Sequence, residues 1–170
     1  RMLTRRVSAM LDRWNILPDD SAGTPAHLTA PGRLLRHIAK LRTDGPTAEA
    51  LLTLLKHPLC HSGAERGQHL LWTAELELFI RKTGVPYPSL GQLAAWKKAD
   101  EAADWLTWVD TCFLQPAVTG HASLAHHIDQ HLSQAGAVCA GSASDDMSEL
   151  WANEAGNACP GVFAPLTRTA

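Results

Sequence analysis

The sequence predicts an all-α fold, an irregular multi-helix domain of about seven helices with no substantial sheet. Three observations lead there. Apolar residues recur at i, i+3 or i+4, and i+7 along most of the chain, the period of a helix with one buried face. No segment gives a convincing strand pattern, and Ala26–Ala30, if extended, is too short to build a sheet. Hydrophobic residues make up 45% and charged residues 19% of the 170 positions, which supplies a core and excludes compositional disorder.

The elements follow in order. Leu3, Val7, Met10, Leu11 and Trp14 mark a helix over residues 2–14, with Arg5, Arg6 and Arg13 off its apolar stripe and Asn15 as a left-handed stop. Residues 16–25, rich in Pro, Asp, Ser and Gly, read as a loop. Pro31 suits the first turn of a second helix that buries Leu34, Leu35, Ile38 and Leu41 and leaves Arg33, Arg36, Lys40 and Arg42 wet. Asp44-Gly45-Pro46 breaks it. A short helix with Leu51, Leu52, Leu54 and Leu55 ends before Pro58.

Ser62-Gly63-Ala64-Glu65 has the spacing of a capping box and starts a long helix whose stripe is Leu70, Leu71, Ala74 and Leu78, stopped by Gly84. Val85-Pro86-Tyr87-Pro88 is a stiff connector. Ser89-Leu90-Gly91-Gln92 is a second capping box, followed by helical signal to Leu114 with a break near Asp100. Ala102, Trp105, Leu106, Val109, Cys112 and Phe113 share a face there. Leu124, Ile128 and Leu132 mark a further helix, ended by Gly136. Residues 137–144 read as a loop, Ser144 as the cap of a helix carrying Leu150 and Trp151, and Pro160-Gly161 as an interruption before a last weak turn. There is no internal repeat of 30–45 residues.

Composition excludes several classes of function. No apolar run reaches the roughly 18–20 residues of a membrane span, so no membrane is expected as a partner. The chain opens Arg1-Met2-Leu3-Thr4-Arg5-Arg6, without an initiator Met or an apolar leader, so the expectation is a piece of a longer protein with no signal peptide. Cys60, Cys112, Cys139 and Cys159 are spaced for neither a zinc ribbon nor a disulfide scaffold; free thiols and a cytoplasmic setting follow as expectations.

Charge is asymmetric. Residues 1–85 carry 12 Lys/Arg against 8 Asp/Glu and residues 86–170 carry 3 against 9, a +4 half and a −6 half. A basic head can face a polyanion; the competing reading is a solvated helix face.

Enzyme chemistry leaves little trace. There is no GxxxxGK[ST], GxGxxG, GxSxG or HExxH. His57, Cys60 and His61 sit together but Pro58 interrupts any shared helical face. His127 and His131 are four apart, with His121 and His126 nearby; two imidazoles at that spacing can share a metal, yet a zinc site needs three or four ligands. A small His-rich metalloenzyme is thus a remote alternative, set against exposed helix histidines. Asp19-Asp20 and Asp145-Asp146 read as turn and cap residues. Trp96, beside Lys97-Lys98, is the tryptophan best placed by sequence to stack on a base.

A resemblance carries the reading further. The run from Arg1-Met2-Leu3-Thr4-Arg5-Arg6 to Leu11, then Trp14-Asn15-Ile16-Leu17-Pro18-Asp19-Asp20 to Pro25, resembles the AddB family, the second subunit of bacterial AddAB helicase–nucleases of double-strand-break repair, in its alphaproteobacterial form. Leu28–Leu35, Leu51–Leu59 and Glu149–Gly156 extend the resemblance, which is densest over residues 1–60. More distantly, Thr4-Arg5, Ile16 and Gly23 are similar to the step that leads into the inserted lobe of UvrD/Rep-like superfamily 1 helicases, with Leu17 intruding before Pro18.

The resemblance implies that residues 1–25 exit a RecA-like motor domain. It implies that 26–170 form a helical 2B-like lobe, divisible into two sub-lobes at a connector near 84–88. It implies no catalysis and no cofactor in this piece, because the Walker loop and the clustered cysteines of an iron–sulfur nuclease are missing. The implied role is DNA binding and scaffolding during end processing in a cytoplasmic, nucleoid-associated complex, with single-stranded or forked DNA and an AddA-like subunit as partners. The candidate phosphate contacts are Arg5, Arg6, Arg13, Arg33, Arg36, Lys40 and Arg42, with Lys97 and Lys98 as a second patch. The alternative is a docking module for the AddA-like subunit with little DNA contact. On either reading Leu3, Val7 and Leu11 can be left without neighbours, as an exposed apolar stripe.

Overall fold

A computed structural model describes residues 2–16, 23, 25–115 and 121–167, and the fold class is as expected: the described residues are helical with no strand. Asp19-Asp20 lies outside them, as do the side chains of Arg5 and Cys159. Nine α-helices are described, seven of them of seven residues or more. No described helix is long and apolar enough to cross a membrane.

Helix α1 (Met2–Asp12) ends through Asn15, whose φ of 57° is the left-handed stop that Asn tolerates. Most of its apolar stripe is exposed: Leu3 is 75% and Trp14 79% exposed, and Leu11 is half-buried. Residues 26–28, read as extended, instead form a 3₁₀ turn. Its first carbonyl, Ala26 O, accepts from the Thr29 N–H and hydroxyl, and Thr29 Oγ1 accepts from the Gly32 N–H as the cap of α2 (Ala30–Asp44). Pro31 sits in the first turn, where its missing N–H costs nothing. Helix α2 is the hub. Leu34, Leu35, Ile38 and Leu41 are buried against α3 (Ala48–Leu55), α7 (Leu124–Ala140) and α9 (Asn153–Thr167).

Helix α4 (Arg66–Thr83) corrects two expectations. Ser62 does not cap it: the Ser62 hydroxyl turns to Leu59 O and the Cys139 thiol, and the residue before the helix is Glu65 in the left-handed region, with φ 49°. The buried face is His69, Thr73, Leu76 and Ile80, while Leu71 is 62% and Leu78 69% exposed. Two apolar stripes compete on this helix. The one containing His69 wins: both ring nitrogens of His69 are hydrogen-bonded in the core, whereas the Thr73 hydroxyl beside it is buried without a partner among the described residues. The outer stripe of Leu70, Leu71, Ala74 and Leu78 therefore carries little folding energy. Leu71→Glu and Leu78→Glu are each expected to change urea-unfolding stability by no more than about 0.5 kcal/mol. Leu76→Ala, fully buried, is expected to cost about 2–5 kcal/mol in the same measurement.

After the Gly84 stop, Pro86 O accepts from Ala48 N–H at 2.8 Å, so the connector is tied to the start of α3 and the core runs continuously across it. The second capping box holds, with Gln92 Oε1 accepting from Ser89 N–H, but α5 (Leu90–Leu93) is one turn long. Turns replace the helix expected over residues 94–102. Then α6 (Ala103–Val109) passes into a π turn at Asp110–Leu114, which buries the predicted face from Ala102 to Phe113. Trp96 lies in this core, 4% exposed and tilted against Trp105 at 6.2 Å, so it offers no face to a base.

Gly136 does not end α7. It is buried within the helix, which continues to Ala140 and stops at Gly141, φ 91°. A Cβ at Gly136 would lie 2.8 Å from Met147 Sδ, so the end of that flexible, exposed side chain would have to shift. Residues 137–140 are thus helix, not loop. Ser144 accepts from Asp146 N–H, and it is Asp146 that accepts from Ser148 N–H at the start of α8 (Ser148–Trp151). Helix α9 runs straight through Pro160-Gly161.

The core holds three histidines. His69 Nδ1 accepts from the Trp105 indole N–H at 3.0 Å while His69 Nε2–H donates to Leu55 O at 2.8 Å. His61 is stacked on it, ring centroids 4.7 Å apart. Its Nδ1–H donates to Ala64 O, and its Nε2 accepts from Ser142 N–H. The network thus fixes opposite neutral tautomers on the two rings. Trp108 lies edge-on to both. His57 Nδ1 accepts from Leu59 N–H, and its Nε2 is buried without a partner among the described residues.

Candidate polyanion-binding face

Burying Leu34, Leu35, Ile38 and Leu41 dictates what α2 shows to solvent. Residues 33, 36, 37 and 40 fall at i, i+3, i+4 and i+7, so Arg33, Arg36, His37 and Lys40 share the opposite face. Arg33, Arg36 and Lys40 are exposed and His37 is half-buried. Lys40 reaches Asp44 Oδ2 at 3.9 Å, both side chains mostly in water, a contact worth little. Arg33 and Arg36 form no ion pair among the described residues.

The face borders a cleft of about 420 Å³ between α2 and α3, lined by Arg36, His37, Lys40 and Asp44 of α2 and by Thr47 and Glu49 at the start of α3. Burial, then Arg36, Arg33 and Lys40, hold the His37 pKa below its ordinary value. Behind the face, burial first and then Arg33, His37 and Arg66 push His57 down to about 4. Arg66 donates to the His57 and Cys60 carbonyls, which closes the turn after α3.

Of the basic residues singled out in the sequence, Arg33, Arg36 and Lys40 are brought together. Arg6 and Arg13 are exposed on α1 and the turn after it. Arg42 turns away: it is half-buried and donates to Gln130 Oε1 at 3.0 Å, tying α2 to α7. Lys98 is held by Glu101 at 2.6 Å, and Lys97 is exposed in the turn after α5. His37 is the member of the face that sequence reasoning passed over; its spacing from Arg33 and Lys40 was the available signal.

The remaining histidines do not assemble. His121 and His126 are exposed, His127 and His131 half-buried, and among the described residues no three His, Cys, Asp or Glu side chains form a group able to hold a metal. Cys60, Cys112 and Cys139 are buried free thiols, and burial raises the pKa of each, which leaves them unreactive. What α2 offers is electrostatic: three cations and an imidazole within two helical turns, on a rigid element, with no nucleophile beside them. Comparison with protein-family models, with curated proteins and with solved structures finds no match to this chain.

Proposed function

We propose that this chain is a non-catalytic helical domain that grips the phosphate backbone of DNA through the solvent face of α2, as part of a helicase–nuclease that processes double-strand breaks. The observation that carries the reading is the convergence of Arg33, Arg36 and Lys40 on one face, two of them in no ion pair among the described residues. Side chains on a single helix face at this spacing can follow a run of phosphates but reach no base edge in a defined way. Binding should therefore be strongly salt-dependent and indifferent to sequence. The setting in break repair rests on the resemblance of residues 1–60 and 149–156 to the AddB family.

Fluorescence anisotropy with a labelled forked duplex tests the reading. Three phosphate contacts imply a log–log salt slope near −2.7, about a 40-fold loss of affinity between roughly 50 and 200 mM salt. The double variant Arg33→Glu, Arg36→Glu is expected to lose at least about tenfold at the lower salt. Undiminished binding by that variant, or no binding by the parent chain, sinks the proposal.

One observation favours a second reading. The outer stripe of α4, with Leu70, Leu71 and Leu78 exposed along one face, suits docking on a partner subunit of the same complex. The two roles use different helices and are separable: charge reversal on α2 leaves α4 intact.

A further inference from the structure

We propose that His37 is a proton-linked ligand of this face: it takes up a proton as a phosphate backbone seats on α2, so the grip tightens as pH falls through the neutral range. The inference rests on the polyanion reading above and names a regulator of that same face.

His37 lies one turn from Arg33, one residue from Arg36 and three from Lys40, on the same face and at the edge of the α2–α3 cleft. An anion long enough to reach Arg33 and Lys40 has to pass over it. In the free chain its surroundings disfavour the imidazolium. It is half-buried, three cations face it from its own helix, and no hydrogen bond among the described residues stabilises the charged ring. The turn after α3 adds His57, which is itself kept neutral by burial. Among the described residues the acids that line the cleft with it are Asp44, at the end of α2 beside Lys40, and Glu49 on α3. Both lie toward the C-terminal end of the face and would turn a phosphate back toward Arg33, Arg36 and His37.

Phosphates bound to those cations reverse the field at the ring. Each guanidinium that disfavoured the imidazolium becomes part of a neutral pair, and the phosphate oxygens offer the acceptor that the free ring lacks. A group whose pKa rises on binding takes up a proton, so affinity must climb as pH falls through the interval between the free and bound values. His37 thus adds a fourth positive charge only when a polyanion is present.

The test is forked-duplex binding by anisotropy at about pH 6 and about pH 8, in the same low salt. The expected result is roughly five- to tenfold tighter binding at the lower pH, within the 100-fold that one proton allows over two pH units. His37→Gln should bind equally at both, with the affinity of the parent chain at the higher pH. His37→Lys, permanently charged, should bind tightly at both. The imidazole NMR titration of His37 should shift to higher pH on adding the duplex, which a merely structural histidine would not show. Binding without pH dependence, or a dependence that survives His37→Gln, overturns the inference and leaves the polyanion reading standing. No binding at either pH overturns both.

Discussion

Between about pH 6.5 and about pH 4 the protein is expected to lose several kcal/mol of folding stability, and urea unfolding across that range will show it as a midpoint that moves steadily down. His57 and His69 are the cause. Burial, the largest influence on each, lowers both to about 4 in the folded chain. Unfolded, each returns to about 6.5. Within that window the unfolded chain therefore binds more protons than the folded one, and stability rises with pH. It is fully present above about pH 6.5, falls as pH drops toward about 4, and has no more to lose from these groups below that. At about 1.4 kcal/mol for each tenfold, one such histidine links on the order of 3 kcal/mol, a large part of the 5–15 kcal/mol typical of a domain.

Geometry says why relaxation cannot spare the fold. Charging His69 would place a proton on Nδ1, against the Trp105 N–H that now donates to it at 3.0 Å. The ring would have to release Trp105, which is 1% exposed and in contact with Trp72, Trp96 and Trp108. His69→Gln keeps an acceptor and a donor but cannot charge. His57→Asn keeps the acceptor for Leu59 N–H and removes the buried Nε2. Each variant should flatten the acid limb, and the pair should remove most of it. An unchanged limb in both variants would place the titrating groups elsewhere.

The parts of this fold legible in the sequence are those where apolar residues have no rival. On α2 the only apolar stripe is Leu34, Leu35, Ile38 and Leu41, so its burial and the wetness of Arg33, Arg36 and Lys40 follow together. The same holds for the face from Ala102 to Phe113. On α4 the pattern misleads, because leucine periodicity selects Leu70, Leu71 and Leu78, while the core takes the stripe with His69 and Thr73. A histidine buried by two specific hydrogen bonds has no signature in a hydropathy pattern; its partners, Leu55 O and Trp105 Nε1, lie 14 and 36 residues away.

Glycine misled in a different way. Gly136 and Gly161 read as stops, yet both lie inside helices, where a small residue is tolerated. The candidate site was half legible for the same reason as the core. Three of its four members follow from charge on a periodic helix. Arg42 is half-buried rather than wet, and its partner, Gln130, is 88 residues distant.

Gly141→Ala is expected to be among the most damaging single substitutions in the chain, at about 4 kcal/mol or more in urea unfolding. Two costs combine. The backbone at 141 has φ 91°, where an L side chain is strained by roughly 1–3 kcal/mol. A Cβ there would also lie 2.5 Å from Cγ of His61 and 2.7 Å from its Nδ1. His61 cannot yield freely. It is stacked on His69 and hydrogen-bonded to Ala64 O and Ser142 N–H, so moving it leaves buried polar groups unpaired at about 1–3 kcal/mol each. Gly45→Ala separates the two costs. Gly45 has a similar φ of 83° and open space around it, so it carries the strain without the collision. The difference between the two variants measures what His61 contributes by being held in place. Because His61 braces His69, Gly141→Ala should also let acid reach the tryptophan core sooner, raising the pH at which unfolding begins. Equal costs at 141 and 45 would mean that His61 swings aside without loss, and that the stacked pair does not lock α4 to the end of α7.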